Sequence, residues 1–369
     1  MKYSKTTILI LIVLILIIGC NDNAPKTQNN KFQVIAHDIP YPTDKFIRIG
    51  YTLKIWEYDK EGLSLQQIVI IDQDSKAELL TIEKSNIPKI YKDPLPASPY
   101  IPFDKLSHYY VSLQLPIPSG QAIPSSVSHR FFFRDTVQNK NITLEGGTFS
   151  PLARLKPVVI ASPVKGKNWL FVNQSTMGYH FNSMFFINGK IGTGERFAFD
   201  NLQFSDDLTE YFHGDPAKNE SYFNYRKPLY AVADGKIVAM RDGLPENAGN
   251  AHGVTFKEPI DLAGNYIIMD IGKERYAFYA HCYPNSIKVK VGDIVKEGDL
   301  LALLGNSGNS DAPHLHFQIC DAPDFFMSRG LPFVLKKYTK IAEAGQDKLP
   351  PPKDYVNAMM EELTIISFE

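Results

Sequence analysis

Between Phe32 and about Ser150, apolar and polar residues alternate in short runs, as in Arg48-Ile49-Gly50-Tyr51-Thr52-Leu53-Lys54-Ile55-Trp56 and Tyr109-Tyr110-Val111-Ser112-Leu113-Gln114-Leu115. A period of two puts every second side chain on one face, so these runs predict antiparallel strands with one buried face. The Pro, Gly and Asp residues between them predict turns. No stretch sustains the 3.6-residue period of a long amphipathic helix.

A β-sandwich over residues 32–150 is the economical arrangement, with immunoglobulin-like topology as a guess. Its histidines, His37, His108 and His129, are scattered and read as ordinary surface or satisfied core residues. No polar cluster here reaches catalytic spacing, so this domain reads as one that positions or binds. Residues 147–163 form a linker or first edge of a second domain. Beyond it, Trp169-Leu170-Phe171-Val172 and Met184-Phe185-Phe186-Ile187 are strand-like, and Asn188-Gly189 between apolar runs signals a two-residue hairpin. Residues 206–225 are polar and predict a loop. Strands and Gly/Asp turns follow to Asp321, so a second β domain spans 151–335. A C-terminal extension, 336–369, continues a strand around 331–338 and carries a Pro-rich stop at 350–352 and a short amphipathic stretch over 355–363. The fold class is all-β.

With 369 residues there is room for two or three domains, and 39 basic residues against 40 acidic ones leave a net charge of −1. Nothing in that balance points to nucleic acid. The first 20 residues change the picture more. Lys2 and Lys5 precede eleven apolar residues, 8–18, and then Gly19-Cys20. That run is shorter than the about 20 residues a spanning helix needs and reads as a secretory signal. Ile17-Ile18-Gly19-Cys20 resembles a bacterial lipobox, with Ile18 where a small residue is commoner. The resemblance implies that Cys20 is diacylated, becomes the mature N-terminus and anchors an exported lipoprotein to a membrane of the cell envelope. Residues 21–31 then read as a polar tether. Cys282 and Cys320 are expected to be free, buried thiols facing different ways.

The sharpest chemical signal is Asp311-Ala312-Pro313-His314-Leu315-His316-Phe317-Gln318. On a strand the two histidines project from the same face, about 7 Å apart. Upstream lie Pro228-Leu229-Tyr230-Ala231-Val232-Ala233-Asp234-Gly235, Gly264-Asn265-Tyr266-Ile267-Ile268-Met269-Asp270 and Tyr276-Ala277-Phe278-Tyr279-Ala280-His281. Then come Val291-Gly292-Asp293-Ile294-Val295-Lys296-Glu297-Gly298-Asp299-Leu300 and the loop Gly305-Asn306-Ser307-Gly308. This ordered series, over about 227–321, closely resembles the lysostaphin and LytM-type metallopeptidases, which hydrolyse peptide cross-links of peptidoglycan. Lipoyl and biotinyl carriers share the Val-Gly-Asp pattern but have no use for the histidine segments. The glycines after Leu304 lack the lysine and helix of a phosphate loop.

The resemblance implies zinc, held by a histidine and an aspartate from an earlier segment and by the second histidine of the late pair, with water in the fourth position. Carried over, His316 is a zinc ligand, His314 the catalytic base and His281 the second catalytic histidine. Asp200, in Glu195-Arg196-Phe197-Ala198-Phe199-Asp200, is the metal-binding aspartate. The family's other histidine stands four residues before that aspartate, where this chain has Arg196, and a guanidinium cannot ligate zinc. His180, His213 and His252 are the available substitutes, and His180 is preferred. It precedes the hairpin whose return strand is expected to end at Asp200, an order that resembles a branch of these exported proteins. A regular turn at 188–189 would set His180 opposite Phe197, on the wrong face for Asp200, so a bulge at Gly192 or Gly194 is required. Asn219 and Tyr222 either line the groove and contact substrate or merely anchor a loop. Two functions follow. One is a lipid-tethered zinc endopeptidase acting on peptidoglycan peptides. The other is a non-catalytic domain that grips wall peptides or regulates another wall hydrolase, with a divisome-type protein as partner. The four intact site residues favour the enzyme.

Overall fold

The computed structural model of the chain describes residues 32–56, 62–88, 90–92, 108–173, 179–187, 190–251, 258–346 and 349–368. The expected signal segment, Cys20, the expected tether, Asn188-Gly189 and His252 lie outside the described residues. The protein is all-β. Its helical turns, among the described residues, are of the 3-10 kind and none exceeds five residues.

The N-terminal half is a two-sheet sandwich. One sheet runs in the order Phe32–His37, Phe46–Trp56, His108–Pro118, Tyr91–Lys92, with Tyr41–Pro42 beside the second. The other runs Glu78–Glu83, Leu63–Asp72, Val127–Asp135, Lys140–Phe149. Alternate residues of each strand meet between the sheets, so Ile49, Tyr51, Leu53, Val111, Leu113, Ile68, Ile70, Phe131 and Phe133 form one buried cluster. His129 is a satisfied core residue within it: Nε2 lies 2.7 Å from the Tyr51 hydroxyl and Nδ1 3.1 Å from the Gly147 carbonyl.

The other half is built on an eleven-stranded sheet. Its order is Val158–Ile160, Phe333–Glu343, Thr364–Phe368, Gly166–Val172, Phe199–Gln203, Leu315–Cys320, Tyr276–Ala280, Tyr266–Asp270, Gly235–Arg241, Ile294–Val295, with Lys353–Ala358 paired to Phe333–Glu343 as the eleventh strand. The pair Pro228–Tyr230 and Leu300–Leu303 closes over it, burying Leu229, Ala302 and Leu301 against Ile237, Met269 and Phe317. The segment 336–369 is not an appendage. Phe333–Glu343 runs straight through residue 335, and Thr364–Phe368 is wedged between it and Gly166–Val172, with Ile366 fully buried. The amphipathic look of 355–363 comes from a strand at the margin, Lys353–Ala358, on which Val356 is exposed, running into Met359 and Met360, which are buried. Cys282 and Cys320 are free and buried, in separate apolar clusters.

The halves meet across the outward face of the first sheet. Arg48 bridges Glu361 through Nε and Nη2, at 3.0 and 2.6 Å, Lys340 reaches Asp44 at 2.5 Å, and Tyr41 packs edge-on against Phe197.

Candidate metal centre

The large sheet brings two of the site residues together by register alone. Phe199–Gln203 pairs antiparallel with Leu315–Cys320 so that Asp200 stands directly across from His316. Facing residues on adjacent strands bring their side chains into contact, and Asp200 Oδ1 lies 3.1 Å from His316 Nδ1. His180 comes from the 3-10 turn His180–Asn182, is buried, and puts Nε2 3.7 Å from Asp200 Oδ2. One donor atom from each of His180, Asp200 and His316 lies within 4.8 Å of the others. His314 Nε2 approaches Asp200 Oδ1 to 3.5 Å from the loop before the strand. His281 follows the strand Tyr276–Ala280 in a left-handed conformation, φ 63°, which turns its ring toward His314 at 4.6 Å between centroids. All five line one groove of about 360 Å³, with Glu195, Asp311, Tyr179 and Phe185 also on its walls.

Hydrogen bonds assign the ring nitrogens. A backbone carbonyl only accepts, so His281 Nδ1 donates to Ser307 at 2.7 Å and His314 Nδ1 to Ala312 at 2.8 Å. Each Nε2 is left to exchange protons. The Gln318 amide donates to the Cys320 sulfur and the Phe325 carbonyl, which turns its oxygen to His316 Nε2 at 2.8 Å. His316 Nε2 therefore carries the proton, and the Nδ1 lone pair faces Asp200.

A lone pair and a carboxylate oxygen 3.1 Å apart in a buried site repel unless a cation lies between them or the ring takes a second proton. Without a cation the ring answers in the second way: burial would lower the His316 pKa, but the hydrogen bond and charge of Asp200 raise it. Burial likewise would raise the Asp200 carboxyl, yet His180, His314 and His316 hold it well below the usual range. Burial lowers His180 against the pull of Asp200, and burial with His314 and His316 keeps His281 well below its ordinary value. Two imidazoles, one carboxylate and an open side are the donors of a catalytic zinc site, and the 3.1 and 3.7 Å separations bracket the roughly 3.4 Å edge of a tetrahedron with bonds of about 2.1 Å. These residues fit the ion.

The path by which His180 arrives differs from expectation. Phe185–Ile187 pairs with Lys190–Gly192, but this return strand stops at Gly192. The turn Gly194–Phe197 intervenes, and Asp200 belongs to a separate strand of the large sheet. Strand parity therefore never applied, and no bulge is needed. Arg196 points out of the groove and is fully buried against Asp38 of the sandwich, while Glu195 faces the groove. His213 is exposed on its loop, 3.8 Å from Glu210, away from the groove. Asn219 and Tyr222 do not line the groove either. The Asn219 amide is buried between the Asn247 carbonyl and the Asn306 side chain, and Tyr222 donates to the Pro216 carbonyl. Both anchor loops whose carbonyls need donors away from water. Gln318 and Asn173, which donates to Asp200 at 2.9 Å, were not foreseen. For Gln318 a signal existed: it is two residues past His316 and shares its face.

Residues 222–324 match Peptidase family M23, and this part of the chain is an M23 peptidase domain of the lysostaphin/LytM type. His281, His314 and His316 fall inside the match; His180 and Asp200 precede it. Among relatives, the chain is 33% identical over 92 residues to the peptidoglycan DD-endopeptidase ShyB of Vibrio cholerae, covering 25% of this chain and 17% of that protein. It is 35% identical over 97 residues to the glycyl-glycine endopeptidase ALE-1 of Staphylococcus capitis, covering 26% and 22%. The chain thus spans less than a quarter of the length of either relative. Among solved structures, the catalytic domain of lysostaphin from Staphylococcus simulans aligns with 26% identity, 33% of this chain, 86% of that chain and a TM-score of 0.22. A zinc-containing peptidase from Vibrio cholerae aligns over 77% of this chain and 80% of its own at 15% identity, with a TM-score of 0.23.

Proposed function

We propose that this chain is a zinc-dependent endopeptidase that hydrolyses peptide bonds in bacterial cell-wall peptidoglycan, tethered to the envelope by a lipid on Cys20. The observation that carries the proposal is the convergence of His180, Asp200 and His316 in one groove, with His314 and His281 beside them. Relatives named as peptidoglycan endopeptidases support the substrate class.

A bound zinc supplies Lewis acidity, polarising a peptide carbonyl and making water nucleophilic near neutral pH. The chain's residues do the rest. Asp200 and the lone pairs of His180 and His316 would hold the ion. His314 and His281, each with Nδ1–H tied to a carbonyl, have Nε2 available to take the proton of the attacking water and return it to the leaving amine. Gln318 keeps His316 in the binding tautomer. The non-catalytic reading drew on Arg196, and that side chain lies outside the groove.

The test is metal content and hydrolysis of wall fragments by the chain from residue 21 onward, compared with His180→Ala and His316→Ala. About one zinc per chain, lost together with hydrolysis in both variants, is expected. A wild type without zinc refutes the proposal. Zinc retained in His180→Ala refutes the assignment of the third ligand.

A further inference from the structure

The three donors are not held by the same part of the molecule. Asp200 and His316 stand on adjacent strands of the large sheet, whereas His180 heads a segment that packs on the N-terminal sandwich. Met184 and Phe186 cluster with Tyr110 of the strand His108–Pro118, and the Phe186 and Tyr110 rings lie 5.3 Å apart. Phe181, next to His180, sits on Gly50 of Phe46–Trp56, where a Cβ would come within 2.9 Å of its ring. The guanidinium of Arg196 lies over that same ring at 5.3 Å. Arg196 in turn is fixed from the sandwich side: Nη1 donates to Asp38 at 3.0 Å, and Nη2 donates to the Thr52 hydroxyl and, at 3.4 Å, to that of Ser112. Arg196, Thr52, Ser112 and Asp38 are all buried.

A buried guanidinium with a carboxylate and two hydroxyls has one low-energy placement, and a ring pressed between it and a glycine backbone inherits that placement. The side chain that stands where a ligand would be expected has become the seat of the substitute ligand. We propose that Arg196 and Asp38 are positioning residues of the metal centre, acting across the domain interface through Phe181 to hold His180, so that the sandwich sets metal affinity. This rests on the zinc reading above.

The experiment measures zinc affinity by chelator competition and the absorption spectrum of the cobalt-loaded protein, for wild type, Arg196→Met, Asp38→Asn and Gly50→Ala. Arg48→Met serves as control, since the Arg48–Glu361 pair crosses the same interface without touching the His180 segment. The expected result is a zinc affinity roughly 10–100-fold weaker in the three seat variants, the usual loss when the support of a ligand is removed. Their cobalt spectra shift, and Arg48→Met binds as wild type does. If Arg196→Met does not fold, Asp38→Asn and Gly50→Ala carry the test. Seat variants that bind zinc like wild type overturn the proposal, as does an equal loss in Arg48→Met, which would mark general loosening of the interface. A wild type that binds no zinc overturns the metal reading itself and this inference with it.

Discussion

His129 makes the stability of the sandwich depend on acid in a way that can be worked out in advance. The ring is fully buried between the Tyr51 hydroxyl, which donates to Nε2, and the Gly147 carbonyl, which accepts from Nδ1. Tyr51 is itself kept protonated by burial. One neutral tautomer satisfies both bonds, and a second proton, on Nε2, would take away the acceptor of the Tyr51 O–H. Burial accordingly pushes the His129 pKa from 6.5 down to about 4. Above pH 6.5 the ring is neutral in folded and unfolded chains alike, and the whole contribution is present. Between 6.5 and about 4 only the unfolded chain takes the proton, so stability falls with pH; below about 4 the loss is complete. At 1.36 kcal/mol per unit, the interval amounts to about 3 kcal/mol. His129→Gln removes the titration while leaving an oxygen to accept from Tyr51. The assay is urea unfolding at pH 7 and pH 4, followed by far-UV circular dichroism. The stability difference between the two pH values should be about 3 kcal/mol smaller in the variant than in its parent. Equal pH differences in the two proteins would refute the reasoning, whatever the variant's stability at pH 7.

Gln318→Leu should weaken zinc binding roughly 10–100-fold while the protein stays folded, because His316 then has no acceptor holding Nε2–H and the Nδ1 lone pair is no longer presented; affinity by chelator competition reads this. Tyr222→Phe should lower stability by about 1 kcal/mol through the lost bond to Pro216, with KM on wall fragments unchanged. A raised KM would restore Tyr222 to the groove. Gly192→Ala should destabilise by about 1–3 kcal/mol in thermal unfolding, since its Cβ would lie 2.0 Å from the Phe326 carbonyl oxygen and the strand must move away from the groove wall.

What the sequence made legible follows from how local each signal is. Period-two alternation gave the strands Phe46–Trp56 and His108–Pro118 at close to their observed limits, and the spacing of His314 and His316 put both on one face of the groove. Asp200 was found by its place in a motif, and its partnership with His316 depends on a register that no local pattern encodes. Alternation also misleads at the same strands. Thr52 and Ser112 fall on the polar face, which reads as solvated, yet both are buried under the second half of the chain. A polar face that meets water and one that meets a buried arginine have the same period.

Arg196 illustrates how spacing along the chain hides which side chains share the groove. In sequence it is an interruption of a metal motif. In the structure a 3-10 turn of four residues, Gly194–Phe197, sends Glu195 to the groove and Arg196 to the sandwich. Neighbouring side chains on such a tight turn diverge, so the position four residues before Asp200 does not face the groove. In the proposed centre that place is taken by His180, whose neighbour Phe181 packs on Gly50 and on an arginine bound to Thr52 and Asp38, more than 120 residues earlier in the chain. The proposed donor set is therefore divided: a pair fixed by the pleat of one sheet, and a third member whose placement is lost if the sandwich moves.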